Sequence, residues 1–261
     1  MKRNNRLKLW TNDGVCLLCG KKVGKMSKDH IPPKCCGNNG KVILEPYVSD
    51  AQSPKECKKG LVFETLCEGC NNLLGNKYDY VLGEFANDVK RILESQLIYP
   101  YPQLNIRTKP TKLVKAILGH IVATMNHIEY NSNDVLLQDI RDYVLSNRTD
   151  TPKNIHILYW LFPYPDVIIS RNSIVLWNYF EQKMCSILKF YPLAFAVVYD
   201  KLSNTHMQDL IPYANMCNEE QIRNISLTMP HKALPYNFPD NVKYGIILSP
   251  TESSGYIAVK Q

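Results

Sequence analysis

Apolar residues recur at helical spacing in the middle of the chain. The spacing predicts one helix over 78–97, which the prolines that follow bring to an end, and a second over 111–130. A third helix is predicted over 133–146, with Asn133 as its N-cap. The second helix carries a stripe of apolar residues three or four positions apart, which we expect to be buried. Its members are Val114, Ile117, Leu118, Ile121, Met125 and Ile128.

The pattern changes after residue 150, where Ile, Val, Tyr, Phe and Trp fill short runs between Pro- and Asn-bearing breaks. Such runs predict β-strands. They cover residues 155–162, 166–170, 173–180, 186–199 and 244–248. The segment 194–199 is apolar on both faces, which is typical of a central strand.

The first part of the chain has a different character. Residues 1–80 contain no long periodic segment and are rich in Cys, Lys, Gly and Asn, as in small modules held together by a metal ion. We therefore predict two domains, a metal-stapled module over 1–80 and a larger domain over 81–261, helical first and then β-rich. The predicted fold class is α+β.

Charge adds a hint about partners. The net charge is +7, and residues 1–80 hold 14 basic and 8 acidic residues, so this part carries nearly all of the excess. A basic lobe favours polyanions such as nucleic acid. No apolar run reaches the ~18 residues of a membrane-spanning helix, and no apolar signal stretch follows the basic first residues. We expect a cytoplasmic protein with no membrane partner.

Seven of the nine cysteines lie within the first 70 residues. Two Cys-x-x-Cys pairs, Cys16 with Cys19 and Cys67 with Cys70, have the spacing of zinc ligands, and four thiolates complete a tetrahedral structural site. The 47 residues between the pairs indicate a sizeable insertion. We interpret Cys35, Cys36 and Cys57 as ordinary residues, with replacement of one assumed ligand left open.

Between the two pairs lies Asp29-His30, followed by Ile-Pro-Pro-Lys. Histidine titrates near neutral pH and suits a general base, whereas aspartate is a hard oxygen ligand for Mg²⁺ or Mn²⁺. At a distorted strand end both side chains can approach one pocket. Asn71, directly after the last cysteine of the pairs, offers an amide oxygen as a second ligand. Lys28 and Lys34 flank the motif and are candidates for contacts with nucleic-acid phosphates.

This layout resembles that of HNH endonucleases, and it is closest to the zinc-bound H-N-N variants, which include phage junction-resolving nucleases. The Asp-His-Ile-Pro-Pro-Lys stretch is similar to a bacterial HNH subgroup. The resemblance covers roughly residues 14–80 and implies a ββα treble-clef site. It also implies His30 as general base, Asp29 and Asn71 as ligands of a catalytic ion, and the four paired cysteines as zinc ligands.

One position departs from the family pattern. Many HNH enzymes carry an asparagine a few residues before the third cysteine, where it helps to orient the catalytic histidine. This chain has Val62 there. The partner that orients His30 is therefore left open at this point, with Asn38, Asn39, Glu45 and Glu64 as candidates.

The resulting hypothesis is a metal-dependent DNA endonuclease, acting in restriction, phage defence or a mobile element. Two alternatives stay open. The first is a nuclease that acts on RNA, and the second is a non-catalytic zinc protein that binds nucleic acid or serves as a regulatory protein. Residues 81–261 are expected to recognise a target, to sense or to bind a protein partner. His120 and His127 lie seven positions apart on one predicted helix, and for them we predict a packing or surface role.

Overall fold

The computed structural model describes residues 14–46, 54–95, 103–125, 134–177, 181–200, 207–229, 234–239, 247–248 and 255–260. The protein is a mixture of helices and strands, which confirms the α+β class. The helices are α1 (Glu68–Leu74), α2 (Tyr80–Glu94), α3 (Pro110–Thr124), α4 (Val135–Leu145) and α5 (Ile211–Asn215). The strands are β1 (Ser27–His30), β2 (Val42–Pro46), β3 (Lys55–Cys57), β4 (Val62–Leu66), β5 (Gln103–Thr108), β6 (Ile155–Leu161), β7 (Val167–Trp177), β8 (Glu181–Phe190), β9 (Leu193–Tyr199), β10 (Gln208–Asp209), β11 (Arg223–Thr228), β12 (Ile247–Leu248) and β13 (Gly255–Lys260).

The predicted helices are present with shifted ends. The helix α3 starts with a proline, which suits a first helical position, and the described members of its apolar stripe are buried. The helix α4 is capped by Asp134, whose side chain accepts a hydrogen bond from the backbone N–H of Leu137 at 3.0 Å. The predicted cap Asn133 and the stripe residue Ile128 lie outside the described residues.

The helix predicted over 78–97 begins ten residues earlier, at Glu68. A one-turn π-helix, Gly75–Asp79, joins α1 to α2 without a break. The single extra residue of a π-turn interrupts the 3.6-residue period, which is why the apolar pattern alone indicated only the second part.

Within the described ranges, nine strands form one antiparallel sheet in the order β10-β6-β9-β8-β7-β13-β2-β3, with β12 paired to the second half of β7. Two further pairs, β1 with β4 and β5 with β11, form separate small sheets. The strand β9 lies between β6 and β8 and is buried throughout, which confirms the central strand predicted over 194–199.

Two predicted strand boundaries are wrong. The runs 166–170 and 173–180 belong to one strand, β7, whose pairing with β8 shifts between Ser170 and Ser173; residues 178–180 lie outside the described chain. The run 186–199 contains two strands, β8 and β9, because a turn at Tyr191-Pro192 separates them. Proline lacks the N–H that a strand interior requires.

The long segment between the cysteine pairs contains a hairpin. Its strands β2 and β3 pair with each other, and β2 pairs along its whole length with β13 near the end of the chain. The hairpin thereby extends the large sheet.

The core is continuous across the predicted domain boundary. One buried apolar cluster contains residues of the cysteine-rich segment together with α3, α4 and one face of the large sheet, and a smaller cluster lies on the opposite face. The helix from Glu68 to Glu94 also passes through residue 80. The division into units 1–80 and 81–261 stays a prediction. No helix in the ranges described here has the length and apolar character needed to cross a membrane.

Candidate functional site

The four paired cysteines converge as predicted. A tight turn at Gly20 (φ 70°) holds the first pair, and the backbone N–H of Gly20 donates to the Cys16 carbonyl at 2.8 Å. Cys67 ends the approach to α1 in an extended conformation, and Cys70 lies in the first turn of that helix. The turn at Gly20 and the start of α1 therefore direct the sulfur atoms of both cysteine pairs toward one point.

The geometry of the cluster fits a zinc ion. The four sulfurs lie within 4.8 Å of one another, and the Sγ atoms of Cys19 and Cys67 are 3.8 Å apart. A tetrahedral ion with Zn–S bonds of about 2.3 Å separates its sulfurs by about 3.8 Å. A hydrogen bond with the Cys70 thiol lowers the pKa of Cys16 to about 4, and the Cys67 backbone N–H donates to Cys16 Sγ at 3.2 Å. The cluster could thus hold a metal such as zinc.

The remaining thiols of this region lie outside the cluster. Cys35 and Cys36 form a 3₁₀ turn (Lys34–Cys36) after the Pro-Pro segment, and Cys57 ends β3. The four-membered group found among the described residues contains none of these three. They are therefore not needed as replacement ligands.

The cluster is fixed to the rest of the molecule through the first pair. The backbone N–H of Leu17 donates to the Thr65 carbonyl at 3.0 Å, and the Leu17 carbonyl accepts from the Arg141 guanidinium at 2.7 Å. Thr65 in turn donates through its hydroxyl to the Ala123 carbonyl at 2.6 Å. The cysteine cluster is thus attached to β4, α3 and α4.

Asp29 and His30 lie on β1, which pairs antiparallel with β4. His30 stands opposite Val62, and the register shifts between Ser27 and Asp29. The helix α1 follows β4 after Cys67 and contacts β1, so two antiparallel strands and a helix pack together in the segment that carries the four cysteines. Successive side chains of a strand point to opposite faces, so the side chains of Asp29 and His30 lie on opposite sides of β1.

His30 faces outward and is held by the backbone. Its Nε2 lies 3.1 Å from the Lys59 carbonyl oxygen. A carbonyl only accepts, so Nε2 carries the proton, and Nδ1 is the basic nitrogen of the neutral ring. Burial, together with the charge of Lys34, lowers the pKa of His30 below its ordinary value. The group that orients the His30 ring is thus the Lys59 carbonyl. It is not one of the four side chains proposed from the sequence, which are Asn38, Asn39, Glu45 and Glu64.

Asn38, one of those four, has an indirect role. Its buried side chain amide donates to the carbonyls of Pro32 and Leu61 at 2.7 and 2.9 Å, and its Oδ1 accepts from the Leu61 backbone N–H at 2.7 Å. Gly60 passes over it with a φ of 82°, where an added Cβ would lie 2.4 Å from Asn38 Oδ1. Asn38 therefore joins the segment after His30 to the segment that presents the Lys59 carbonyl.

His30 borders a cavity of about 370 Å³ that is rich in lysine. The predicted Lys28 and Lys34 line it on the side of the motif, and the rest of the lining comes from β3, the segment that follows it and β4. The lysines are Lys28, Lys34, Lys55, Lys58 and Lys59, against the two acids Glu56 and Glu64. The last three lysines were missed, although Lys-Glu-Cys-Lys-Lys is a visible basic cluster. The cavity is therefore suited to a polyanion.

Asp29 lies on the opposite side of β1 and is buried, with 2% of its surface exposed. Its Oδ2 lies 3.5 Å from Nδ1 of His120, and Nε2 of the same imidazole lies 2.9 Å from Oδ1 of Asp79. Burial lowers the pKa of His120, but Asp79 and Asp29 outweigh it and raise this pKa to about 10. His120 is therefore in the core rather than on the surface, and it joins two carboxylates. His127 lies outside the described residues.

Asn71 lies on α1 beside β1. Its amide nitrogen donates to the Lys28 carbonyl at 3.2 Å, so its side chain contacts the residue that precedes Asp29. Asp29 and Asn71 are not among the described residues that line the lysine-rich cavity. The structure thus brings His30, Lys28 and Lys34 together, places Asn71 against the same strand, and turns Asp29 inward.

Comparison with protein-family models, with curated proteins and with solved structures yielded no match to this chain.

Proposed function

We propose that this protein is a metal-dependent endonuclease of the HNH type that hydrolyses phosphodiester bonds in DNA. The observation that carries the proposal is the position of His30. A backbone carbonyl fixes one ring nitrogen, and the ring borders a cavity with five lysines and two glutamates. A general base beside a strongly basic cavity is what hydrolysis of a polyanion requires.

The arrangement of the elements supports the same proposal. A cysteine pair, the antiparallel strands β1 and β4, a second cysteine pair and α1 follow one another around a four-cysteine cluster. This is the order expected of a ββα treble-clef module. In such a module the metal cluster is structural, and the chemistry belongs to the strand end that carries His30.

In the proposed reaction, Nδ1 of His30 takes a proton from a water molecule whose oxygen attacks phosphorus. The bond from phosphorus to the 3′-oxygen breaks, and the departing oxygen takes a proton from solvent water, which leaves a 3′-hydroxyl and a 5′-phosphate. The lysines of the cavity hold the flanking phosphates as point charges and position the scissile bond. The Lys59 carbonyl keeps the imidazole in the tautomer that accepts the proton.

Asp29 and Asn71 are the proposed ligands of a divalent ion, Mg²⁺ or Mn²⁺. Both offer hard oxygen donors. Asp29 Oδ2 makes no hydrogen bond within the part of the chain described, although His120 Nδ1 lies 3.5 Å away, and a divalent ion at this carboxylate would supply the missing partner. When bound, the ion would stabilise negative charge on the phosphate and on the leaving oxygen.

The test is a cleavage panel with the zinc-loaded chain. Supercoiled plasmid, linear duplex, single-stranded DNA and RNA of matched length are incubated with Mn²⁺, with Mg²⁺ and with chelator. We expect divalent-ion-dependent cleavage of DNA that yields 5′-phosphate ends. Preferential cleavage of RNA would reassign the substrate. Binding of these polymers without cleavage of any of them would contradict the proposal and favour a non-catalytic zinc module.

A further inference from the structure

A buried chain of three ionisable side chains, Asp79, His120 and Asp29, joins three distant segments of the sequence. His120 lies in the middle of α3 with 0% of its side chain exposed. Asp79 ends the π-turn between α1 and α2, and Asp29 lies on β1. The two contacts of the imidazole are 2.9 Å to Asp79 and 3.5 Å to Asp29.

Burying these three ionisable side chains costs free energy of folding. Ionisable groups lose hydration on burial, and apolar residues of similar volume usually serve stability as well or better. Asp29 Oδ2 and His120 Nδ1 face each other, yet neither has a hydrogen-bond partner among the residues described. Buried polar atoms in native proteins are nearly always satisfied. At 3.5 Å the contact between this pair is therefore weaker than the 2.9 Å contact of His120 with Asp79.

The backbone around Asp79 points to a built feature. A π-turn inserts one residue into a helix, a change that is frequent at functional sites. Here the π-turn packs against α3, and the carbonyl of Asp79 also accepts a hydrogen bond from Cys35 Sγ at 3.2 Å. Asp79 is thus held from both sides, and it fixes one edge of the imidazole while the other edge faces Asp29.

We propose that His120 is a positioning residue for Asp29: anchored by Asp79, it orients the Asp29 carboxylate toward the divalent ion. This inference rests on the proposed function, because it assigns His120 to the ligand shell of that same ion. Groups that orient a metal ligand typically change metal affinity by about 10- to 100-fold when they are replaced.

The test compares two amides at position 120 in the full, zinc-loaded chain. The amide nitrogen of His120→Asn replaces Nδ1 and keeps a donor toward Asp29, whereas that of His120→Gln replaces Nε2 and keeps only the contact with Asp79. Mn²⁺ binding is measured directly by calorimetry and by electron paramagnetic resonance, and the zinc content and melting temperature of each variant are recorded. We expect His120→Gln, which loses the donor toward Asp29, to weaken Mn²⁺ binding by at least about tenfold, and His120→Asn, which keeps that donor but loses the anchor to Asp79, to weaken it less.

Equal Mn²⁺ affinity in wild type, His120→Asn and His120→Gln would overturn the positioning role, since a merely structural histidine would change stability and leave affinity alone. Asp29→Asn separates this failure from failure of the metal site itself. If Asp29→Asn binds Mn²⁺ as wild type does, or wild type binds none, Asp29 is not a ligand and both proposals fall at that step. A loss in Asp29→Asn with no loss in His120→Gln removes the role of His120 alone.

Discussion

At the scale of single residues, the orientation of the His30 ring depends on groups that belong to no recognisable sequence motif. The imidazole is oriented by a main-chain carbonyl of Lys59, and every residue has a carbonyl. No sequence pattern identifies such a partner. Asn38 keeps that carbonyl in place through three hydrogen bonds to the two segments that meet at His30.

Replacing Asn38 by alanine is expected to lower the free energy of unfolding by about 2–4 kcal/mol, because it leaves buried backbone groups without partners. Denaturant unfolding measures the loss. Asn39→Ala is the matched control, since Asn39 is exposed next in the chain. Equal stability of the two variants would show that the hydrogen bonds of Asn38 are not formed.

The cysteine cluster was predictable from the sequence, whereas the positions of Asp29 and His30 were harder to predict. The two Cys-x-x-Cys spacings correctly predicted which four sulfurs come together, because a tight turn and a helix start each bring both thiols of a pair to one side. Asp29 and His30 were expected to approach one pocket, and this stays a prediction. They are successive residues of a paired strand, and of the two only His30 is among the described residues that line the lysine-rich cavity.

Among the elements, the cysteine cluster holds together parts that have little regular structure of their own. The loop before β1 and the start of α1 meet at the four sulfurs. Removing the metal with a strong chelator is expected to lower the melting temperature and to reduce helical circular dichroism, since binding and folding are linked in small metal modules. Cys67→Ser should have the same effect without chelator, whereas Cys217→Ser, outside the cluster, should keep its metal. Unchanged melting of the metal-free chain would contradict a structural role.

The helix α2 packs closely against the 3₁₀ turn that follows the Pro-Pro segment. A Cβ at Gly83 would lie 2.6 Å from Cys35 Sγ and 2.8 Å from Cys35 Cβ. We expect Gly83→Ala to destabilise the protein by about 1–3 kcal/mol through overpacking. Adding Cys35→Gly removes both clashing atoms and should restore part of the loss. Thermal unfolding of the single and double variants checks this, and additive losses in the double variant would contradict the close approach.

Elements in which the apolar pattern repeats over many residues were predictable from the sequence. Elements in which this pattern is short or interrupted were missed or divided. The stripe of α3 identified that helix, because fifteen residues give several turns of evidence. The strand β5 was missed, although Leu104 and Ile106 alternate with polar residues over six positions. The bulge in β7 divided one strand into two apparent ones, because Arg171 and Asn172 interrupt its apolar run.

At the scale of the whole molecule, long-range pairing decides the architecture. The strand β2, from within the cysteine-rich segment, pairs with β13 at the other end of the sequence. Such pairing depends on the register and shape of distant strands, and a single sequence gives no direct sign of it. As a result, the basic excess of the first 80 residues includes Lys55 on a hairpin that belongs to the large sheet, and Lys58 and Lys59 directly after that hairpin.

The large sheet contains a buried lysine whose charge opposes folding. Lys189 is 1% exposed and donates to the Tyr236 carbonyl at 3.1 Å, near the ring of Phe162. Burial lowers its pKa to about 7. Between about pH 7 and the ordinary lysine value of about 10.4, the unfolded chain binds more protons than the folded one, so this group makes stability rise with pH in that window.

Below pH 7 both states carry the proton and the penalty is complete. Lys189→Met is therefore expected to raise stability near pH 7 by up to a few kcal/mol, since each pKa unit is worth about 1.4 kcal/mol, and the gain should shrink toward pH 10. Denaturant unfolding of wild type and variant across that range measures the difference. The exposed Lys153→Met serves as control. A difference that does not vary with pH would contradict the lowered pKa.

The role of His30 as general base is tested by the rate at which the zinc-loaded chain nicks plasmid DNA with and without this histidine. His30→Ala, with its zinc content and melting temperature verified, is expected to lower the rate in Mn²⁺ by at least about 100-fold, the usual contribution of a general base. His156→Ala is the control, because His156 is also partly exposed and lies on β6, toward the opposite end of the large sheet from the hairpin that borders the cavity. We expect near wild-type nicking by this control, and equal rates for His30→Ala and wild type would rule out His30 as the general base.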